Sequence, residues 1–224
     1  MESVLCGIKA MIFDLDGVIV STDELHYKAW AAIAAKEKIP FDRTINDRLR
    51  GVSRLESLDI ILEKAKRTYP QREIEVLAEE KNVIYRQLLA ELTPSCVSAD
   101  VRRTLRLLRS MGFKTAIGSS SRNATLILER TAMTGFFDAV SDGNNIVRSK
   151  PDPEVFVKAS AMLGTETWTC LVVDDSVAGF EAAHRCGMVA CAIGPSCGKG
   201  MADIEVDKLS DLLCFVGKEV ESYV

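Results

Sequence analysis

The chain has 224 residues, 47% of them hydrophobic and 27% charged, with a formal net charge of −4. That is the make-up of one globular domain, or of one domain carrying an insertion. The acidic balance excludes the basic face a nucleic-acid binder needs, and the longest apolar runs fall far short of a membrane span, so neither nucleic acid nor membrane is an expected partner. Residues Met1 to Cys6 lack a basic stretch followed by a long apolar one and do not read as a secretory signal. Seven cysteines (Cys6, Cys96, Cys170, Cys186, Cys191, Cys197 and Cys214) are odd in number and form no C-x-x-C. A zinc site or a disulfide framework is therefore not expected. Reduced thiols acting as small core residues point to a cytoplasmic protein, taken here as a monomer.

The first predicted element is the apolar run Ala10 to Phe13, which ends in Asp14-Leu15-Asp16-Gly17-Val18. Residues at i and i+2 of an extended segment share a side, so the two carboxylates crowd each other. A metal cation is the usual remedy; the plainer alternative is a strand followed by an Asx-type turn. Gly17 permits a sharp turn or a close backbone approach. Between Thr22 and Leu92 apolar residues recur at helical spacing: Leu25, Ala29 and Ile33; then Leu55, Leu58, Ile61, Leu62 and Ala65; then Val83, Ile84 and Leu88. Without strand-like alternation, residues 22–92 read as an all-α insertion into an α/β core made of residues 1–21 and 93–224. Exposed linkers near Val20–Asp23 and Leu92–Cys96 are expected to let this helical cap close over the core.

From Pro94 onward helix and strand patterns alternate, which predicts a doubly wound, mostly parallel sheet. Thr115 to Gly118 ends in Ser119-Ser120-Ser121, Cys170 to Val173 in Asp174-Asp175-Ser176, and Val189 to Ile193 in Gly194-Pro195. Short apolar runs of this kind read as buried parallel strands. Ligands of such sheets bind beyond the carboxyl ends of the strands, so Asp14, Asp16, Ser119, Asp174 and Asp175 are expected at one edge. Lys150, in the Pro-rich loop Ser149 to Pro153, is placed to reach the same edge. Ser176 to Cys186 reads as a helix stopped by Gly187, so the Asp174-Asp175 pair serves either as a helix cap or as metal ligands. Ser119 to Asn123 reads as a phosphate loop at a helix N-terminus, or as plain capping by Ser121.

Carboxylates, a hydroxyl and an ammonium at one sheet edge suit phosphoryl transfer. Carboxylates hold Mg²⁺, a hard cation that prefers oxygen ligands and keeps several waters. Mg²⁺ and Lys150 neutralise phosphoryl oxygens while Ser119 donates to them. One carboxylate is left to attack phosphorus.

In this order, the Asp-x-Asp-Gly-Val turn, Ser119, Lys150-Pro151 and Asp174-Asp175 resemble the haloacid dehalogenase superfamily, over nearly the whole chain. Three further stretches resemble its β-phosphoglucomutase-like subfamily: Thr22-x-x-x-His26-x-x-x-Trp30, Arg50-Gly51-Val52-Ser53-Arg54-x-x-Ser57, and Ser121-Arg122-Asn123. Ser21 departs from the usual Asp, Arg50 and Arg122 from the usual Lys, Asp174 from a common Glu, and Ser120 from a small apolar residue. The Lys-to-Arg changes keep the charge but alter its phosphate geometry.

The resemblance implies an Mg²⁺-dependent phosphotransferase. Asp14 would be the nucleophile and Asp16 the general acid/base, with Ser119 and Lys150 completing the catalytic set and Asp14, Asp16 (through its carbonyl), Asp174 and Asp175 around the metal. It implies substrate contacts from Thr22, His26, Trp30, Arg50, Gly51, Arg54, Ser57, Ser120, Ser121, Arg122 and Asn123. Read as residues alone, His26 and Trp30 also suit cap packing, and Lys150 a solvated loop. The guanidinium of Arg54, in a Gly-bounded loop, suits a bidentate grip on a second phosphate. The implied substrate is a small phosphorylated sugar, β-glucose 1-phosphate converted to glucose 6-phosphate, with a sugar-phosphate phosphatase as the alternative. A phospho-accepting receiver domain shares some of these groups. There, however, the acidic pair precedes the phosphorylated Asp, and no helical insertion occurs.

Overall fold

A computed structural model describes residues 7–216. The reading of Met1 to Cys6, including the Cys6 thiol, lies outside that range. Six strands form one parallel sheet in the order β3-β2-β1-β4-β5-β6. They are β1 (Ala10–Phe13), β2 (Lys114–Gly118), β3 (Ala139–Ser141), β4 (Cys170–Asp174), β5 (Val189–Ile193) and β6 (Ile204–Val206). Every residue of β1 and β4 is buried, as expected of strands covered on both faces. The period of two shows in the packing. Met11, Phe13, Leu171 and Val173 enter one apolar cluster. Ala10, Ile12, Cys170 and Val172 enter the other.

Between β1 and β2 lie α1 (Asp23–Lys36), α2 (Arg43–Asp47), α3 (Arg54–Leu62) and α4 (Gln71–Leu89), followed by α5 (Ala99–Ser110). The first four form the inserted helical cap. It has its own small core, centred on Trp30, Ile33, Leu58, Ile61 and Leu77. Then come α6 (Ala124–Arg130), α7 (Glu154–Leu163), α8 (Val177–Arg185) and α9 (Leu213–Val216). Among the described residues no helix is long and apolar enough to cross a membrane.

The structure differs from the sequence pattern in a few places. β3 and β6 have three residues each, too few to show a period, and give no readable strand signal. Leu55 and Val83, at helical spacing, are nonetheless 43% and 51% exposed, because the thin cap buries only part of each helix. Ala65 lies beyond the end of α3. The first linker is not an exposed hinge as expected: Val20 packs into the main core, and Thr22 is fully buried.

Register is what builds the site. Phe13 pairs with Ile117 on one side and Val173 on the other, so the residue after β1 stands level with the last residues of β2 and β4, Gly118 and Asp174. Asp14 and Asp174 therefore emerge side by side, with Ser119 one residue further along its strand, and the Asp14 N–H donates to Val173 O at 2.9 Å.

Candidate active site

Asp14 is the first residue past β1 and is buried. The chain then turns at Gly17, where φ is +87° and the N–H donates to Val20 O at 2.9 Å. A Cβ at Gly17 would stand 2.3 Å from Asp175 Oδ2, so a glycine is required for the Asp175 carboxylate to reach this turn. Lys150 is buried, with its ammonium over the Phe156 ring at 4.9 Å from the centroid. It donates to Asp14 Oδ1, and to Asp174 Oδ2 at 2.8 Å. Burial alone would pull its pKa down, but the two carboxylates hold it above the ordinary lysine range. Burial pushes Asp14 well above the usual carboxylate range. Lys150 opposes this, while Asp174, Asp16 and Asp175 reinforce it.

Each acidic side chain has a distinct setting. Asp174 Oδ1 accepts from the Ser176 N–H at 2.9 Å and from Ser176 Oγ at 2.7 Å, while its Oδ2 takes Lys150. The α8 cap is Ser176, which accepts from the Gly179 N–H, rather than either aspartate. A Cβ at Gly179 would stand 2.0 Å from Asp174 Cγ, so the first turn of α8 is built against that carboxylate. Asp16 accepts from the Thr22 hydroxyl and is pushed up to about 6, chiefly by burial. Asp175 is pushed up to about 7 by burial and by Asp174, against the pull of Arg50.

The phosphate loop carries a relay of short turns. Ser119 Oγ accepts from the Ser121 N–H at 3.1 Å, and Ser121 Oγ from the Asn123 N–H at 3.2 Å. Ser121 thus bonds the backbone just ahead of α6 but does not cap it: the cap position is Asn123, without a side-chain cap bond. Ser120 Oγ donates instead to the cap, at Gly51 O.

A cleft of about 380 Å³ runs between cap and core. Asp14, Asp16, Ser119 and Asp175 line it from the strand ends, and Ser120 to Asn123 from the loop beside them. The cap contributes His26, Trp30, Arg50, Gly51, Arg54 and Ser57. Thr22, Lys150 and Asp174 lie behind this wall and not on it. Thr22, expected on the substrate, is turned to the Asp16 carboxylate.

The sequence reading missed several wall residues on α4. Lys81 is 3% exposed, with Nζ 2.9 Å from His26 Nδ1 and 4.8 and 4.4 Å from the Trp30 and Tyr85 ring centroids. Burial, then Arg54, push Lys81 down to about 7, with Asp16 opposing. Burial, then Lys81 and Arg54, hold His26 well below its ordinary value. The Tyr85 ring lies tilted against His26 with centroids 4.1 Å apart, and its hydroxyl is the one buried side-chain polar atom without a partner among the described residues. Asn82 accepts from Asn123 Nδ2 at 3.0 Å and donates to Glu79, which also takes Arg54 at 2.9 Å. A lysine between Ala78 and Tyr85, on one helical face of an otherwise buried stripe, was the available signal.

A divalent cation fits this donor set. Four aspartates share Lys150, Arg50 and, beside Asp16, Lys81, and three of the four are pushed toward protonation by burial and then crowding. Excess carboxylate oxygen of this kind suits a hard cation. The four do not gather into a cage: no group of three or more acidic, His or Cys side chains converges as a metal site among the described residues. Thr22 holds the Asp16 carboxylate, and Ser176 with Lys150 holds Asp174. The remaining two carboxylates are Asp14, held on Oδ1 by Lys150, and Asp175, held on Oδ2 by Arg50.

A family model described as haloacid dehalogenase-like hydrolase matches residues 8–187. The chain belongs to this family. It is 41% identical over 219 residues to the beta-phosphoglucomutase of Bacillus subtilis, covering 96% of this chain and 97% of that one. It is 29% identical over 188 residues to the phosphorylated carbohydrates phosphatase of Thermotoga maritima, covering 81% and 82%. The solved beta-phosphoglucomutase of Clostridium difficile superposes with a TM-score of 0.88 at 32% identity, over 96% of this chain and 98% of that one. The protein is thus an enzyme of the family, an isomerase or a phosphatase, with the family's parallel sheet and helical cap.

Proposed function

We propose that the chain is a sugar-phosphate mutase that converts β-glucose 1-phosphate to glucose 6-phosphate through an aspartyl-phosphate on Asp14. One observation carries this reading. Arg54 from the cap and Arg122 from the core line the same cleft as Asp14, and burial, with Arg122 adding to it and Glu79 opposing, holds the Arg54 pKa below its ordinary value. Two guanidiniums brought together, with Glu79 as the carboxylate partner of Arg54, make a berth for a second anion. A bisphosphate intermediate has a second phosphate to place there. The 41% identity to a beta-phosphoglucomutase supports the same reading.

Lys150 orients Asp14 through Oδ1, which leaves the second oxygen to attack phosphorus. As that bond forms, the bond from phosphorus to the sugar oxygen breaks, and its electron pair stays on the sugar. Asp16, raised to about 6, gives that oxygen a proton, with Thr22 fixing the carboxyl. In the other half-reaction Asp16 takes a proton from the 6-hydroxyl of β-glucose 1-phosphate as that oxygen attacks the phosphoryl group on Asp14, which frees the Asp14 carboxylate and forms the bisphosphate. The cap keeps water from reaching that group first. Asp14, Asp175 and the Asp16 carbonyl would hold Mg²⁺, which when bound neutralises charge on the transferring phosphoryl oxygens. Free thiols among the described residues fit a reducing, cytoplasmic setting.

The phosphatase reading shares the first half-reaction, with water as acceptor, and the Thermotoga relative keeps it in view. Product analysis separates them. β-Glucose 1-phosphate primed with a trace of bisphosphate should yield glucose 6-phosphate, and excess chelator should abolish the conversion. Release of free glucose and phosphate alone would establish the phosphatase.

A further inference from the structure

Arg50 is a cap residue that reaches the core. Its Nη1 lies 2.5 Å from Asp23 Oδ2 and 3.2 Å from Asp175 Oδ2, and its Nε lies 3.7 Å from Asp47 Oδ1. Asp23 and Asp47 belong to the cap and Asp175 to the core, so one guanidinium spans the seam. The Arg50 side chain is only 23% exposed. The next residue tightens the same contact. Gly51 O accepts from Ser120 Oγ at 3.3 Å, and a Cβ at Gly51, whose φ is +76°, would stand 2.6 Å from Ser176 Oγ. The Arg50-Gly51 segment is therefore seated directly on the Asp175-Ser176 turn.

Asp175 Oδ2 has two claimants. On the reading proposed above, on which this inference rests, Asp175 is a ligand of the cation. A guanidinium at 3.2 Å from Oδ2 holds that same carboxylate and offsets its charge. Asp23 and Asp47 give that guanidinium a second berth within the cap. We infer that Arg50 is a positioning residue that latches the cap to Asp175 when that carboxylate carries no cation, and withdraws to Asp23 and Asp47 when it does. Cation binding and this latch then oppose each other, and the opposition is reciprocal: a stronger latch weakens cation binding, and the cation loosens the latch. A substrate-free enzyme would thus meet its cation and open its cleft in one step. Arginine suits the post because its planar fork serves two carboxylates at once.

The test uses the full chain without substrate. Mg²⁺ is titrated by calorimetry into the wild type, Arg50→Met and Arg50→Lys, and the radius of gyration of each is followed by small-angle X-ray scattering with and without Mg²⁺. Arg50→Met removes a unit charge from beside Asp175 and should bind Mg²⁺ about tenfold more tightly. Arg50→Lys keeps the charge and should stay within about threefold of wild type. The wild type should expand on adding Mg²⁺, whereas Arg50→Met should already be expanded without it and change no further. Unchanged affinity in Arg50→Met, or a wild type whose radius ignores bound Mg²⁺, overturns the latch and leaves Asp175 as a ligand. If the wild type takes up no Mg²⁺ at all, the Asp175 assignment fails, and the latch fails with it.

Discussion

Lys81 of the cap holds its Nζ 2.9 Å from His26 Nδ1, in a pocket walled by Trp30 and Tyr85. Burial makes its ammonium costly, and Arg54 adds repulsion that Asp16 only partly offsets. With a folded pKa of about 7 against an ordinary 10.5, the folded enzyme binds fewer protons than the unfolded chain between those values. Stability from this group therefore rises as pH climbs from 7 toward 10.5, and the penalty is complete below 7. Urea unfolding of the free enzyme at pH 7 and pH 9.5 should show a gain of roughly 2–4 kcal/mol. Lys81→Met should flatten that slope. An equal slope in the variant would mean that Lys81 is not the titrating group.

The Lys150 ammonium serves two buried carboxylates at once, so its removal leaves both unpaired. Lys150→Met should cost about 3–5 kcal/mol at pH 7.5. The loss should shrink at pH 5: Asp14 is already raised by burial, and without the opposing lysine it rises further, so it favours the fold only below its folded pKa. Thermal denaturation at the two pH values measures this. A loss that is the same at both pH values would place the cost in packing instead of charge.

Much of this site was legible because parallel strands convert sequence position into place. The apolar runs Ala10–Phe13 and Cys170–Val173 each stop at aspartates, and level register puts Asp14 beside Asp174. What the pattern could not show was the division of labour among four similar carboxylates. That depends on Thr22, six residues beyond Asp16, and on Ser176, whose hydroxyl turns back on Asp174. Lys81 was hidden for a related reason. Its charge looks like a solvated helix face until the cap helix is docked and the stripe from Ala78 to Tyr85 turns inward.

Asp16 and its Thr22 partner make a leaving-group prediction. A sugar alkoxide needs a proton as it departs, and a p-nitrophenolate needs little help. Asp16→Asn should lose about 10²–10⁴-fold in turnover on the sugar phosphate and far less on p-nitrophenyl phosphate. Single-turnover rates of phosphoenzyme formation with the two substrates check it. Equal losses would remove Asp16 from the proton transfer.

The last prediction concerns Arg54, bonded to Glu79 at 2.9 Å, with that carboxylate 64% exposed. So open a pair contributes little to stability, and Arg54→Ala should unfold within about 1 kcal/mol of wild type. Its effect should appear in the chemistry. If the guanidinium grips the second phosphate, losing that desolvated charged contact costs about 2–5 kcal/mol, at least thirtyfold in conversion of β-glucose 1-phosphate. Hydrolysis of p-nitrophenyl phosphate, which carries one phosphate and engages Asp14 alone, should change less than about threefold. Glu79→Gln should act in the opposite sense, since it leaves Arg54 without its competing carboxylate and so strengthens the hold on the bisphosphate. Conversion that is normal in Arg54→Ala would move the second phosphate to Arg122 and Asn123 alone. A loss equal on both substrates would make Arg54 a prop of the whole cleft rather than a phosphate grip.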